Sequence, residues 1–215
     1  MSCPSHTDRR RLGGPARGFT LIELLVVMSI IVLLLAAITP AFVGAVRAGH
    51  LTNAVNIVVD QLAAARQTAI SRNRPVEVRF YQLSDPATGQ SNYRALKAYI
   101  YANGTKAQAL TRLYQFESPV SMSTAAGGGG SQSTALRVAG NQTEILPGTT
   151  VPVPYCKLVF SPNGRTDLGP QGSLPWYLTL YPTNLPITDN TNHLPTNWAV
   201  VQIDDYTGRV RVFRP

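Results

Sequence analysis

Between Phe19 and Val46 the chain carries a single ionisable side chain, Glu23, near the start of the apolar run Phe19-Thr20-Leu21-Ile22-Glu23-Leu24-Leu25-Val26-Val27. An acidic residue costs roughly 2.5 to 3.5 kcal/mol at mid-membrane and less near an end. The chemistry of this pattern is therefore electrostatic: something cationic has to compensate the carboxylate. Just ahead of it lie Arg9, Arg10, Arg11 and Arg17 against one acid, Asp8, with Gly13, Gly14 and Pro15 discouraging regular structure. Arginines before an apolar span hold the N-terminus in the cytoplasm and send the downstream chain outward. A secretory signal peptide is cut after its apolar region, whereas here the small residue suited to a cut, Gly18, precedes it.

Other chemistries find no residues to carry them. His6, His50 and His193 are far apart and lack zinc-ligand spacing. No Gly-X-Ser-X-Gly elbow marks a nucleophile. Asp204 and Asp205 precede Tyr206-Thr207-Gly208 and read as solvated turn acids. Asp167, Asp189, Asp204 and Asp205 lack the dense oxygen spacing of a calcium loop. The tetraglycine Gly127 to Gly130 has no following Gly-Lys-Ser or Gly-Lys-Thr, so it is no phosphate cradle. Trp176 and Trp198 read as core packing at strand starts. The chain is expected to be no enzyme and to hold no cofactor or metal.

Composition narrows the partners. The formal charge is +8, but a cut after Gly18 removes four arginines and one aspartate and leaves +5. The remaining basic residues are scattered and never interleave with aromatics as a single-strand nucleic-acid platform would require, so nucleic acid is not the expected partner. Of Cys3 and Cys156, the first leaves with the leader, which rules out an internal disulfide in the processed chain and makes Cys156 a buried thiol.

From Phe19 to Val46 a helix would be roughly 40 Å long against about 30 Å of hydrocarbon. Pro40 is expected to kink or locally melt it, with Gly44 softening the next turn. Beyond Gly49, Leu51, Val55, Val58, Leu62, Ala65 and Ala69 fall on one helix face, and Asn73 and Pro75 end the helix. Strands are expected at Val76 to Leu83, Ala95 to Tyr101, Leu110 to Phe116, Cys156 to Ser161, Trp176 to Tyr181, Trp198 to Ile203 and Arg209 to Phe213. Turns are expected at Asp85 to Gly89, Ala102 to Gly104 and Asp205 to Gly208. Residues 119 to 134 read as a mobile loop and Pro182 to Pro195 as a surface excursion. The organisation is a leader over 1–18, a transmembrane assembly segment over 19–48, and an amphipathic helix with a β-rich domain over 49–215.

Gly18-Phe19-Thr20-Leu21-Ile22-Glu23 resembles the class III signal of type IV pilins and type II secretion pseudopilins. The segment Asn53 to Gln82 is similar to minor pseudopilins of the GspH and FimT type, in which a helix with a small-residue face leads to a strand after an Asn-X-Pro turn. Phe160-Ser161-Pro162-Asn163-Gly164-Arg165 and Thr207-Gly208-Arg209-Val210 resemble later strands of that group, and the chain end also resembles the pseudopilin-like family called Verru_Chthon cassette protein D.

The resemblance implies an α+β pilin-like fold, a long N-terminal helix packed on an antiparallel sheet. It implies a cut between Gly18 and Phe19 by prepilin peptidase, N-methylation of Phe19, and pairing of Glu23 with the positive terminus of a neighbouring subunit. Pro40 falls where many pilins carry a helix-breaking proline. The expected partners are the peptidase, other pilin or pseudopilin subunits and the bacterial inner membrane, with a periplasmic C-terminal domain. The alternative is a pilin-like adhesin or DNA-uptake subunit that displays its sheet and loops.

Overall fold

The computed structural model describes residues 18–85, 89, 91–102, 106–123, 134–136, 142–169, 176–183 and 197–214, without the side chains of 37–43, 102, 106 and 134. The leader up to Arg17, Cys3, His6, Gly127 to Gly130, Asp189 and His193 lie outside those residues. The chain divides into two units, Met1–Val43 and Gly44–Pro215.

Helix α1 is assigned over Leu21–Arg72. The assignment passes through Pro40 without a break, so the local melting expected there does not occur. A proline forfeits one amide bond, and the turns on either side keep theirs. Among the described residues no helix is long and apolar enough to cross a membrane. At its other end α1 closes on Asn73 with φ +48. The Asn73 N–H donates to Ile70 O at 3.3 Å and the Arg74 N–H to Ala69 O at 3.2 Å, a Schellman ending in which asparagine takes the left-handed position.

In the second unit, α1 buries Leu51, Ala54, Val55, Val58, Leu62, Ala65 and Ala69, the face that spacing predicted with Ala54 added. It packs against one side of an antiparallel sheet of ten strands. They are β1 (Val76–Ser84), β2 (Ser91–Ala102), β3 (Lys106–Ala109), β4 (Tyr114–Gln115), β5 (Val120–Met122), β6 (Gln142–Glu144), β7 (Val153–Phe160), β8 (Trp176–Pro182), β9 (Ala199–Ile203) and β10 (Val210–Phe213). The main order is β10-β9-β8-β5-β2-β1-β7-β6, with β3 and β4 each pairing β2. Alternation in β1 sends Val76, Val78 and Phe80 to the helix side, where Leu96, Leu158, Leu178 and Val201 from neighbouring strands meet them.

Two sequence expectations change. The strand expected over Leu110 to Phe116 shrinks to β4, because Thr111 Oγ1 accepts the Ala98 N–H at 3.0 Å and the Leu110 and Thr111 amides both donate to Ala98 O. A hydroxyl thus takes a bond that a ladder carbonyl would have taken. Within the stretch expected as a loop, Val120 and Met122 are fully buried in β5 against β8. The small residues after them hid this short apolar alternation. Strand β6, for which no expectation existed, covers the open edge of β7.

The sheet face away from α1 is held by charges. Arg79 donates to Glu144 Oε2 at 2.8 Å and to Glu77 Oε1 at 2.5 Å. Its guanidinium lies 4.1 Å from the Tyr99 ring centroid and 4.7 Å from that of Tyr155. Tyr81 and Tyr99 hydroxyls donate to Glu144, and the Tyr101 hydroxyl to Glu77. Burial alone would raise the Glu144 carboxyl, but these hydrogen bonds outweigh it and hold the group below its ordinary range. Burial, then the bond to Glu77, pushes the Tyr101 hydroxyl up to about 12. A second buried pair bolts the β1–β2 hairpin to later loops. Arg94 Nη1 lies 2.9 Å from Asp85 Oδ1, an ion pair without hydrogen-bond alignment, while Ser118 and Thr183 hydroxyls donate to the same carboxylate.

Both networks have measurable consequences. Asp85→Ala leaves a buried guanidinium uncompensated and should cost about 3 to 5 kcal/mol in urea unfolding, most of it regained by the double change Asp85→Leu, Arg94→Met. Because Glu144 titrates lower in the folded protein than in the unfolded one, its contribution is present above the ordinary carboxylate value of 4.5 and is lost as pH falls through the folded value. Urea midpoints should therefore fall less steeply with acid in Glu144→Gln than in the parent.

Candidate N-terminal assembly site

Gly18, Phe19 and Thr20 precede α1 in non-helical backbone, and Leu24 N–H closes the first helical bond on Thr20 O at 3.2 Å. Thr20 is thus the N-cap. The Glu23 N–H donates to Thr20 Oγ1 at 3.3 Å. In return Glu23 Oε2 accepts the Thr20 N–H at 3.4 Å and the Thr20 hydroxyl at 3.3 Å. This is a capping box, in which a Thr and a Glu three residues apart satisfy amides that the helix start leaves open. The signature Thr-X-X-Glu stands in the sequence, so the cap was legible there alongside the charge.

The carboxylate consequently does two things at one place. Its Oε2 orders the helix start, while its Oε1 accepts no hydrogen bond among the described residues. Phe19 is 80% exposed, and a Cβ added to Gly18 would meet nothing within 4 Å. Among the described residues nothing covers the Gly18-Phe19 peptide bond.

Behind this site every large apolar side chain described from Leu21 to Leu35 is exposed, from 44% at Ile31 to 83% at Leu21. Burying a side chain of this size yields about 1.5 to 3 kcal/mol, and this segment leaves that burial to an apolar surrounding or to another helix. Ser29 bonds back to Val26 O at 2.7 Å and so adds no unmet polar group. Of the residues singled out from sequence, Gly18, Phe19 and Glu23 line one shallow concavity at the start of α1. The side chain of Pro40 lies outside the described residues.

Elsewhere, among the described residues no three His, Cys, Asp or Glu side chains gather to hold a metal. His50 pairs with Glu117, and Asp204 Oδ1 accepts the Tyr206 and Thr207 amides at 3.0 and 2.8 Å, the turn role read for it. The Cys156 thiol is buried against Leu136 O and the Tyr93 hydroxyl, and burial pushes it up. Trp176 is buried and donates to Gly169 O at 2.7 Å.

Residues 15–39 match the family described as the prokaryotic N-terminal methylation motif. No curated protein matches the chain. Among solved structures it is similar to the minor pseudopilin EpsH from the type 2 secretion system of Vibrio cholerae, at 13% identity over 77% of this chain and 98% of that one, TM-score 0.42. A second EpsH structure from that organism shows 14% identity over 78% and 95%, TM-score 0.45. The type IV minor pilin FimU of Pseudomonas aeruginosa shows 16% identity over 78% and 93%, TM-score 0.42. With TM-scores below 0.5, these likenesses carry no residue role across to this chain.

The capping geometry gives a direct test. Thr20→Ala removes about 1 kcal/mol from the helix start, so the Glu23 amide should exchange about fivefold faster in detergent-solubilised protein, whereas Thr20→Ser should leave its rate near the parent's.

Proposed function

We propose that this chain is a prepilin-processed filament subunit, a minor pseudopilin or pilin that assembles through its N-terminal helix in a type II secretion or type IV pilus-like machine. The observation that carries the reading is the methylation motif itself, placed on an exposed Gly18-Phe19 bond in front of a helix whose apolar side chains this unit does not cover. Prepilin peptidase of the bacterial inner membrane cuts there and releases residues 1–18. Residues 19–48 form the membrane and assembly segment, and the remaining domain faces the periplasm.

Cutting before Phe19 creates an ammonium group next to a helix N-terminus, where it adds to the positive end of the peptide dipoles. Glu23 compensates part of this charge within its own chain and offers Oε1 to the methylated terminus of a neighbour. In an apolar bundle each charge lowers the other's burial cost, so the pair selects register where greasy contact alone would not.

The two roles of Glu23 separate by substitution. Glu23→Gln keeps an acceptor for the cap but loses the charge, and should insert in the membrane with normal helix content yet fail to enter filaments. Glu23→Leu should fail likewise, and normal filament incorporation of either variant would sink the proposal. Mass spectrometry of the membrane-extracted protein should find a chain beginning at methyl-Phe19, and an intact Met1 terminus would contradict the processing step.

A further inference from the structure

The β9–β10 hairpin gathers arginines that are distant in sequence. Arg66 of α1 donates to Thr207 O at 2.6 Å, and Arg165 stacks 3.8 Å from the Tyr206 ring centroid. Arg209 and Arg211 project from the hairpin itself. Gly208 is what allows the close seat: with φ +63, its Cβ position lies 2.3 Å from Gly164 O, so no other residue fits. Neither Arg209 nor Arg211 has a carboxylate at salt-bridge distance among the described residues.

Strand β10 ends the sheet, and among the described residues nothing pairs with its outer edge. The Asp204 N–H donates to Arg209 O at 2.9 Å, which sets the alternation of the antiparallel ladder. Residues 209, 211 and 213 bond inward to β9. Val210 and Val212 therefore turn their N–H and C=O groups outward, along an open edge.

Each side of that edge has its own concavity. Toward α1, a groove of about 420 Å³ is lined by Val59, Ala63 and Val210, with Gln67, Arg66 and Arg209 as its polar part. On the opposite side, a cleft of about 180 Å³ is lined by Gln202, Thr207, Arg209, Arg211 and Asp204, whose carboxylate is engaged by the turn amides. An incoming strand sends alternate side chains to these two sides.

We propose that β10 is a docking edge for an extended segment of another protein in which acidic and apolar residues alternate. The segment adds an eleventh strand: its backbone pairs with Val210 and Val212, its carboxylates meet Arg209 and Arg211, and its apolar side chains enter the groove beside Val59 and Ala63. Main-chain bonds supply affinity in this mode, and the alternate pockets supply specificity. The surface is independent of the N-terminal site and of whether Gly18-Phe19 is cut.

The test uses the full chain in detergent micelles and a capped peptide of about six residues alternating glutamate and valine. Saturating peptide should slow exchange of the Val210 and Val212 amides about tenfold. Arg211→Glu, at an exposed position, should weaken binding about tenfold. A peptide N-methylated at alternate residues, on the amides that would face β10, should not bind. Unchanged exchange at Val210 and Val212, or equal binding by the N-methylated peptide, overturns the proposal. So does a short DNA duplex that displaces the peptide and binds more tightly than it, which would assign these arginines to a polyanion.

Discussion

The first part of α1 carries apolar side chains outward on all sides around one carboxylate, and this constraint organises the rest. Such a surface is stable only in an apolar surrounding, and Glu23 is acceptable there only where it is compensated. The compensation starts locally: Thr20 and the open amides of the first turn hold one carboxylate oxygen before any second chain is present. A charge that is already oriented by its own helix loses little freedom when a cationic partner arrives. In the filament subunit proposed above, register between subunits would then cost less entropy than it would from a mobile side chain.

The globular unit solves a different problem, that of remaining folded with no disulfide among the described residues. It does so with a one-sided core and charged ties across the other face. Small residues Ala54, Ala65 and Ala69 let α1 lie close to the sheet, while Leu62 and Val58 fill the space between them and the strands. On the opposite face Arg79 is enclosed by two carboxylates and two tyrosine rings, so a strand face that could have been wetted is instead a hydrogen-bonded layer. The Asp85–Arg94 pair does the same for the hairpin end, tying β1 and β2 to segments around Ser118 and Thr183.

How far these features could be read in advance depended on how local their causes are. The buried stripe from Leu51 to Ala69 and the stop at Asn73 come from helical spacing and cap chemistry, which act within a few residues. Val76 to Leu83 and the Asp205 to Gly208 turn are local in the same sense. Strand β4 could not be delimited, because its shortening depends on Thr111 reaching the amide of Ala98 across the sheet. Asp85 read as a turn acid, and its carbonyl does close a turn on the Gly89 amide. Its side chain, however, is committed to Arg94 and Thr183, which no spacing rule connects.

By itself the sequence determined the N-terminal site: the Gly18-Phe19 junction, the lone Glu23 and its Thr20 cap lie within six consecutive residues, and their chemistry depends on neighbours along the chain and on the surrounding solvent. Only the tertiary structure decided the strand order, the Arg79 layer and the gathering of Arg66, Arg165, Arg209 and Arg211 at one hairpin. Those groupings join residues far apart along the chain: Arg66 and Thr207, which bond, are 141 positions apart. They are set by strand register, and a one-residue slip would send each of the strand side chains to the other face.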